Sequence, residues 1–266
     1  MPLCHNNFFM IDTHCHLTFD PLFGQVDAVL ARSADAGVTG WITVGTDPQD
    51  NLKVIELIDK FDNLYAAVGI HPHYAKNVTA NTLKDLEKLA RHLKVLAIGE
   101  TGLDFHYDFS KPQEQIRLFA QHLKIAAELN MPVIVHSRQA FDETLDVLAQ
   151  FGRDIKRIVF HCFSYSPEQA KMILDNGFYI SFTGVVTFKN AESARQAAKI
   201  VPLDRLMIET DCPYMSPEPM RKQKVNEPAL MVHTAKFLAD LKEMSLSDFA
   251  NAVTATSRAF FDLPEK

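Results

Sequence analysis

Cysteine is scarce. Cys4, Cys15, Cys162 and Cys212 are the only four, they are scattered, and no Cys-x-x-Cys occurs. That excludes a dense disulfide framework and favours a reducing compartment. Long apolar runs are absent too: none approaches the roughly 20 residues of a spanning helix. The first residues lack a basic stretch leading into an apolar one, so no signal peptide is expected. These absences predict a soluble, cytoplasmic protein with no membrane partner. Basic residues are not in excess. Lys and Arg number 27 against 33 Asp and Glu, a formal net charge of −6. A broad basic face that coats nucleic acid is therefore not expected, but a small basic pocket for one or two phosphates remains compatible. No linker, low-complexity tract or strong internal repeat divides the chain.

What the sequence does have is alternation. Short apolar runs at residues 8–11, 40–44, 65–70, 95–98, 133–135, 158–160, 178–182 and 206–208 alternate with helical patterns. Several runs are apolar on both faces, as expected of strands covered by helices on one side and a packed interior on the other. Asp47-Pro48 and Ser166-Pro167 read as helix N-caps followed by proline, and Gln169 is placed to complete a capping box. Leu83, Leu86, Ala90 and Leu93 share one helical face, as do Ile116, Phe119, Leu123 and Ala126. Asn176-Gly177 marks a helix end. Ser245-Leu246-Ser247-Asp248 opens a last helix beyond the one that follows the eighth strand. Eight strand–helix units in 266 residues predict an α/β fold, a (β/α)8 TIM barrel with an additional C-terminal helix, as a single domain over 1–266. An open doubly wound sheet would want a glycine-rich turn after the first strand. That turn holds histidines instead.

Asp12-Thr13-His14-Cys15-His16 organises the chain. In an extended strand His14 and His16 point the same way, and two imidazoles on one face suit one metal ion. Further ligand types follow later apolar runs: Glu100, His136, His161 and Asp211. All six fall at predicted strand C-termini, the face where this barrel carries its chemistry. We assign His14, His16 and Asp211 to one divalent ion and His136 and His161 to a second, with Glu100 bridging. Two dications would lower the pKa of a shared water from about 15.7 toward 7. Asp211 would take that water's proton and pass it to the leaving group.

Taken together, these segments resemble the TatD family of metal-dependent deoxyribonucleases, within the amidohydrolase-like barrels. The resemblance is carried by residues 12–16, by Gly99-Glu100-Thr101-Gly102-Leu103-Asp104, Val135-His136-Ser137-Arg138, His161-Cys162-Phe163 and Glu209-Thr210-Asp211-Cys212-Pro213-Tyr214, in order, over residues 9–261. It implies a two-metal phosphodiesterase, commonly a 3′-5′ exonuclease on DNA, with single-stranded or frayed ends as substrate. It places metal ligands at the six positions already chosen, with Asp211 and Glu100 catalytic. It also marks His71, Arg138 and Asn226 as substrate contacts. The stretch that usually reads Arg-Gly-Lys-x-Asn-x-Pro has Lys222-Gln223-Lys224 here, so Lys224 keeps a charge while the arginine and glycine are lost. An ester or amide hydrolase acting on a small molecule or an aminoacylated RNA is the alternative use of the same site.

The remaining chemistry-bearing residues have plainer expectations. Arg138 either grips phosphate with its planar fork or forms a structural ion pair. His71 is a phosphate donor, a ligand support or a loop histidine. Glu209 reads as structural, facing as Asp211 does, and Asp104 as a support for a ligand histidine or a loop cap. Cys15, Cys162 and Cys212 read as small buried thiols. His92, His122 and His233, in helical stretches, read as surface residues. Phe105, Tyr107, Phe163, Tyr165, Phe188 and Tyr214 follow strand ends, where some stack on bases and others pack loops. Nitrogen-rich ligation favours zinc, manganese, iron or nickel over magnesium on softness, whereas the resemblance implies magnesium. Oligomeric state leaves no mark in the sequence.

Overall fold

The computed structural model describes residues 8–263, so Cys4 lies outside the described residues. Its eight parallel strands form one sheet whose order follows the chain, β1 to β8. Helices alternate with them, and this is a TIM barrel with an additional C-terminal helix. By contact density the chain divides into two compact units. One runs up to Ile42 and resumes at Cys162, and the other is Thr43–His161.

In the first unit β1 (Met10–Cys15) is buried at every position. α1 (Val26–Asp35) follows, and β2 (Val38–Val44) leads the chain into the second unit. The chain returns through α6 (Pro167–Asp175), β7 (Tyr179–Phe182), α7 (Glu192–Ile200), β8 (Leu206–Ile208), α8 (Met231–Leu241) and α9 (Leu246–Phe261). β7 and β8 pair in parallel, Ile180 opposite Leu206 and Phe182 opposite Ile208. β1 lies beside β8: Thr13 Oγ1 donates to the Ile208 carbonyl at 3.0 Å. α9 begins at the Ser245 cap, whose hydroxyl accepts from the Asp248 N–H, and buries Phe249, Val253 and Phe260.

The second unit holds α2 (Pro48–Ile58), β3 (Leu64–Val68), α3 (Ala80–Ala90), β4 (Val95–Asp104), α4 (Pro112–Leu129), β5 (Val133–Arg138), α5 (Phe141–Phe151) and β6 (Ile158–Phe160). Asp47 caps α2 through two backbone N–H groups, as its sequence predicts, and in the first unit Ser166 and Gln169 form the expected capping box of α6. β4 and β5 extend past their apolar runs. They stay paired through Gly102 opposite His136 and Asp104 opposite Arg138. Glu100, His136 and Arg138 therefore sit within strands rather than after them, and the sheet fixes their direction.

Two expectations are corrected here. Leu93 does not share the buried face of α3: the helix ends at Ala90, and Leu93, past its last turn, is 96% exposed. His122 is not on the surface. It is fully buried in α4, where Nε2 accepts from the Ile70 N–H at 3.0 Å and Nδ1 meets the Leu118 carbonyl at 2.9 Å. Only the neutral ring with its proton on Nδ1 satisfies both contacts. Burial accordingly pushes the His122 pKa down to about 4.

The unfolded chain then binds a proton below about pH 6.5 that the folded chain refuses until about pH 4. His122 therefore leaves stability untouched above neutrality and erodes it as pH falls through that window, by at most about 1.4 kcal/mol per pH unit. Urea midpoints for the parent and His122→Gln, compared from pH 7.5 to pH 4.5, should converge as pH falls. Curves that stay parallel would mean that His122 is protonated in the fold.

Candidate metal centre

The first unit builds one cluster of ligand atoms. His14 comes from the end of β1, His16 from just beyond it, and Asp211 from the loop after β8. The two Nε2 atoms are 3.2 Å apart. Asp211 Oδ1 lies 3.3 Å from His16 Nε2 and 3.8 Å from His14 Nε2. A tetrahedral ion bonded at 2.0–2.1 Å has ligand–ligand edges of about 3.3 Å, so this set fits a metal. The backbone stitches it together, with the Asp211 N–H donating to the His14 carbonyl and the His16 N–H to the Cys212 carbonyl, each at 2.9 Å. Phe19 stacks on the His16 ring at 4.7 Å. Asp12 accepts from the Thr210 N–H at 2.9 Å and the Thr210 hydroxyl at 2.6 Å. Burial pushes the Asp12 carboxyl up to about 7 despite those bonds.

The surroundings of this cluster are read from their contacts and burial. Glu209 accepts from the Cys162 N–H and the Ser181 hydroxyl, both at 2.7 Å, so it ties β8 to the β7 side. Its structural reading stands, although strand alternation is not the reason, because β8 ends at Ile208. Asn226 is fully buried, and its amide donates to the Thr210 and Tyr214 carbonyls at 3.0 and 2.6 Å. The expected substrate contact is corrected: Asn226 clamps the loop that carries Asp211. Cys15 and Cys212 are buried as expected, but Cys162 is only half-buried, at 3.5 Å from both Thr183 Oγ1 and Met215 Sδ. Lys224 is exposed.

The second unit builds another cluster. Glu100 Oε1 lies 2.7 Å from His136 Nδ1 and 2.8 Å from His161 Nε2, and those nitrogens are 3.2 Å apart. Here too the spacing fits one ion. His136 presents Nδ1 to this cluster because its Nε2 faces Asp104 Oδ2 at 3.1 Å, the carboxylate support that orients a ligand imidazole. His73 meets the same oxygen at 3.0 Å. Burial alone would raise the Asp104 pKa, but the bonds from His136 and His73 outweigh it and hold the carboxylate well below its usual range. His71 lies beside them, its Nε2 3.6 Å from Glu100 Oε1, and burial keeps it far below the usual imidazole pKa, hence neutral. Arg138 is exposed. It packs over the Tyr107 ring at 5.0 Å and makes no ion pair among the described residues, which decides against the structural ion pair. His73 was not singled out from sequence, yet His71-Pro72-His73 repeats the His-x-His spacing of residues 14–16.

A TIM barrel whose strand ends carry buried imidazole and carboxylate groups at these spacings is built as a metal-dependent hydrolase. The chain belongs to the TatD related DNase family, whose model matches residues 11–262. It is similar to the uncharacterized metal-dependent hydrolase YcfH of Escherichia coli, at 40% identity over 96% of both chains. The 3′-5′ ssDNA/RNA exonuclease TatD of Erwinia amylovora is 32% identical over 96% of this chain and 100% of its own. Among solved structures, the TatD homolog YjjV of Escherichia coli superposes with a TM-score of 0.90 at 32% identity, covering 96% of this chain and 98% of that one. No helix of the described residues is long and apolar enough to cross a membrane.

The support that Asp104 gives His136 is testable. Asp104→Asn keeps the shape and removes the charge. Zinc affinity, measured by competition with a chelator, should fall about 10- to 100-fold. Unchanged affinity would reduce Asp104 to a loop cap.

Proposed function

We propose that this protein hydrolyses DNA phosphodiester bonds, one nucleotide at a time from the 3′ end of single-stranded or frayed DNA. His14, His16 and Asp211 would hold one divalent ion and His136 and His161 another, with Glu100 as a further carboxylate ligand. Magnesium, manganese or zinc would serve. When bound, such ions acidify a water and polarise the phosphoryl oxygen. The observation that carries a phosphate substrate is Arg138, an exposed guanidinium without a carboxylate partner among the described residues, two residues beyond His136 on the same strand. The exonuclease named among the relatives supports the same reading.

The chain's own groups divide the work. Arg138 grips the phosphate through its fork. His71, held neutral by burial, offers an N–H to a phosphoryl oxygen. Lys224 adds a charge for the strand. Asp211 takes the proton of the attacking water and returns it to the departing 3′ oxygen. A grip limited to the strand end suits a protein of net charge −6. The buried thiols Cys15 and Cys212 support a reducing, cytoplasmic setting.

The test is digestion of 3′- and 5′-labelled single-stranded DNA by metal-stripped protein, with magnesium, manganese or zinc restored and Arg138→Ala alongside. A metal-dependent ladder growing from the 3′ end, weakened about 100-fold or more in Arg138→Ala, is expected. No cleavage by protein shown to bind metal would move the assignment to an ester or amide hydrolase.

A further inference from the structure

The loop between β4 and α4 puts two aromatic rings into solvent beside the second cluster. Tyr107 is 43% and Phe109 52% exposed, with centroids 5.4 Å apart. Exposed aromatic pairs are uncommon unless something covers them. This pair stands on a rigid base. Buried Gln115 accepts from the Asp104 N–H at 2.8 Å and donates to the Asp104 and Ser110 carbonyls at 2.9 Å, fixing both ends of the loop. Asp104 Oδ1 accepts from the Tyr107 N–H at 3.2 Å. The rings also touch the site. His73, bonded to Asp104, lies 4.7 Å from Phe109 and 5.5 Å from Tyr107, and Arg138 rests over Tyr107 at 5.0 Å.

We infer that Tyr107 and Phe109 form a stacking shelf for a nucleobase of the strand end, with Arg138 taking the phosphate next to that base. A flat apolar surface beside a guanidinium that makes no ion pair among the described residues matches the chemistry of a nucleotide: a π face joined to an anion. Stacking reads the π face that every base has, so the subsite accepts any of the four bases. This deepens the nuclease reading and rests on it. It makes Phe109 a substrate-binding residue: it holds the base, whichever it is, and so places the phosphate.

The experiment compares the metal-loaded parent with Phe109→Ala, Phe109→Leu and Phe109→Trp. Two oligonucleotides are used, one intact and one abasic at its last two 3′ positions. The parent should favour the intact strand in kcat/KM by about 10- to 100-fold. Alanine and leucine should collapse that ratio toward one, and tryptophan should keep it. Leucine preserves apolar packing without a stacking face, so a collapse in it is not a folding defect. If the variants slow both substrates alike and keep the ratio, Phe109 is structural and the shelf is overturned. If the parent cuts both strands equally, the shelf falls and the nuclease reading stands. If the parent cuts neither strand, the nuclease reading itself has failed, and the shelf with it.

Discussion

Asp211→Asn is expected to lose roughly a thousandfold or more of hydrolytic activity while folding normally. Asn is the informative replacement because of the backbone. Asp211 has φ of 53°, in the left-handed region that Asp and Asn tolerate and alanine does not. Asn therefore keeps the loop, the N–H to the His14 carbonyl and the clamp from Asn226 below it. It removes one negative charge 3.3 Å from His16 Nε2. Two consequences follow together. On the proposed mechanism the cluster at His14 and His16 loses its anionic ligand, and the proton of the attacking water loses its acceptor, the second alone worth about 10²- to 10⁴-fold. Metal content per chain separates them. A protein that keeps its full metal content and loses activity assigns Asp211 mainly to proton transfer, whereas one that loses metal as well assigns it to both. A variant with near-parent activity would remove Asp211 from the centre altogether.

The parts of this molecule that were readable from sequence are those governed by local rules. His14 and His16 follow from strand periodicity, and their Nε2 atoms do meet, 3.2 Å apart. The Asp47 and Ser166 caps were legible for the same reason: a cap is a contact between residues two or three apart. Most of the misreadings are long-range. Nothing in the α4 sequence tells that the Ile70 N–H, 52 positions away, needs His122 as acceptor, so a helical histidine read as exposed. Asn226 read as a substrate contact because resemblance transfers a residue's position and not its partners; its amide turns to Thr210 and Tyr214. Leu93 continued a helical periodicity past the point where the helix stops. His73 was legible in principle, since the His-x-His signal was there, but only Asp104 gives it a role.

Gly102→Ala should be among the most destabilising single changes available, at about 3–5 kcal/mol. Gly102 lies opposite His136 in the β4–β5 pairing, with φ of 138°. A Cβ there would overlap the His136 carbonyl oxygen and stand 3.0 Å from its carbonyl carbon and 3.1 Å from its nitrogen. Every one of those atoms is backbone, so no rotamer change relieves the contact and the two strands must part. Parting them displaces the ligand nitrogen of His136 and the Asp104–Arg138 end of the ladder together. Stability and metal affinity should therefore fall in the same variant. Gly177→Ala provides the control. Its φ of 77° carries the backbone strain, but a Cβ would meet nothing within 4 Å, so a loss of only about 1 kcal/mol is expected. Denaturant midpoints of the two variants, taken with and without zinc, give the comparison. If Gly102→Ala is no worse than Gly177→Ala, the close approach of β4 to β5 is dispensable, and that glycine cannot be what holds His136 in place.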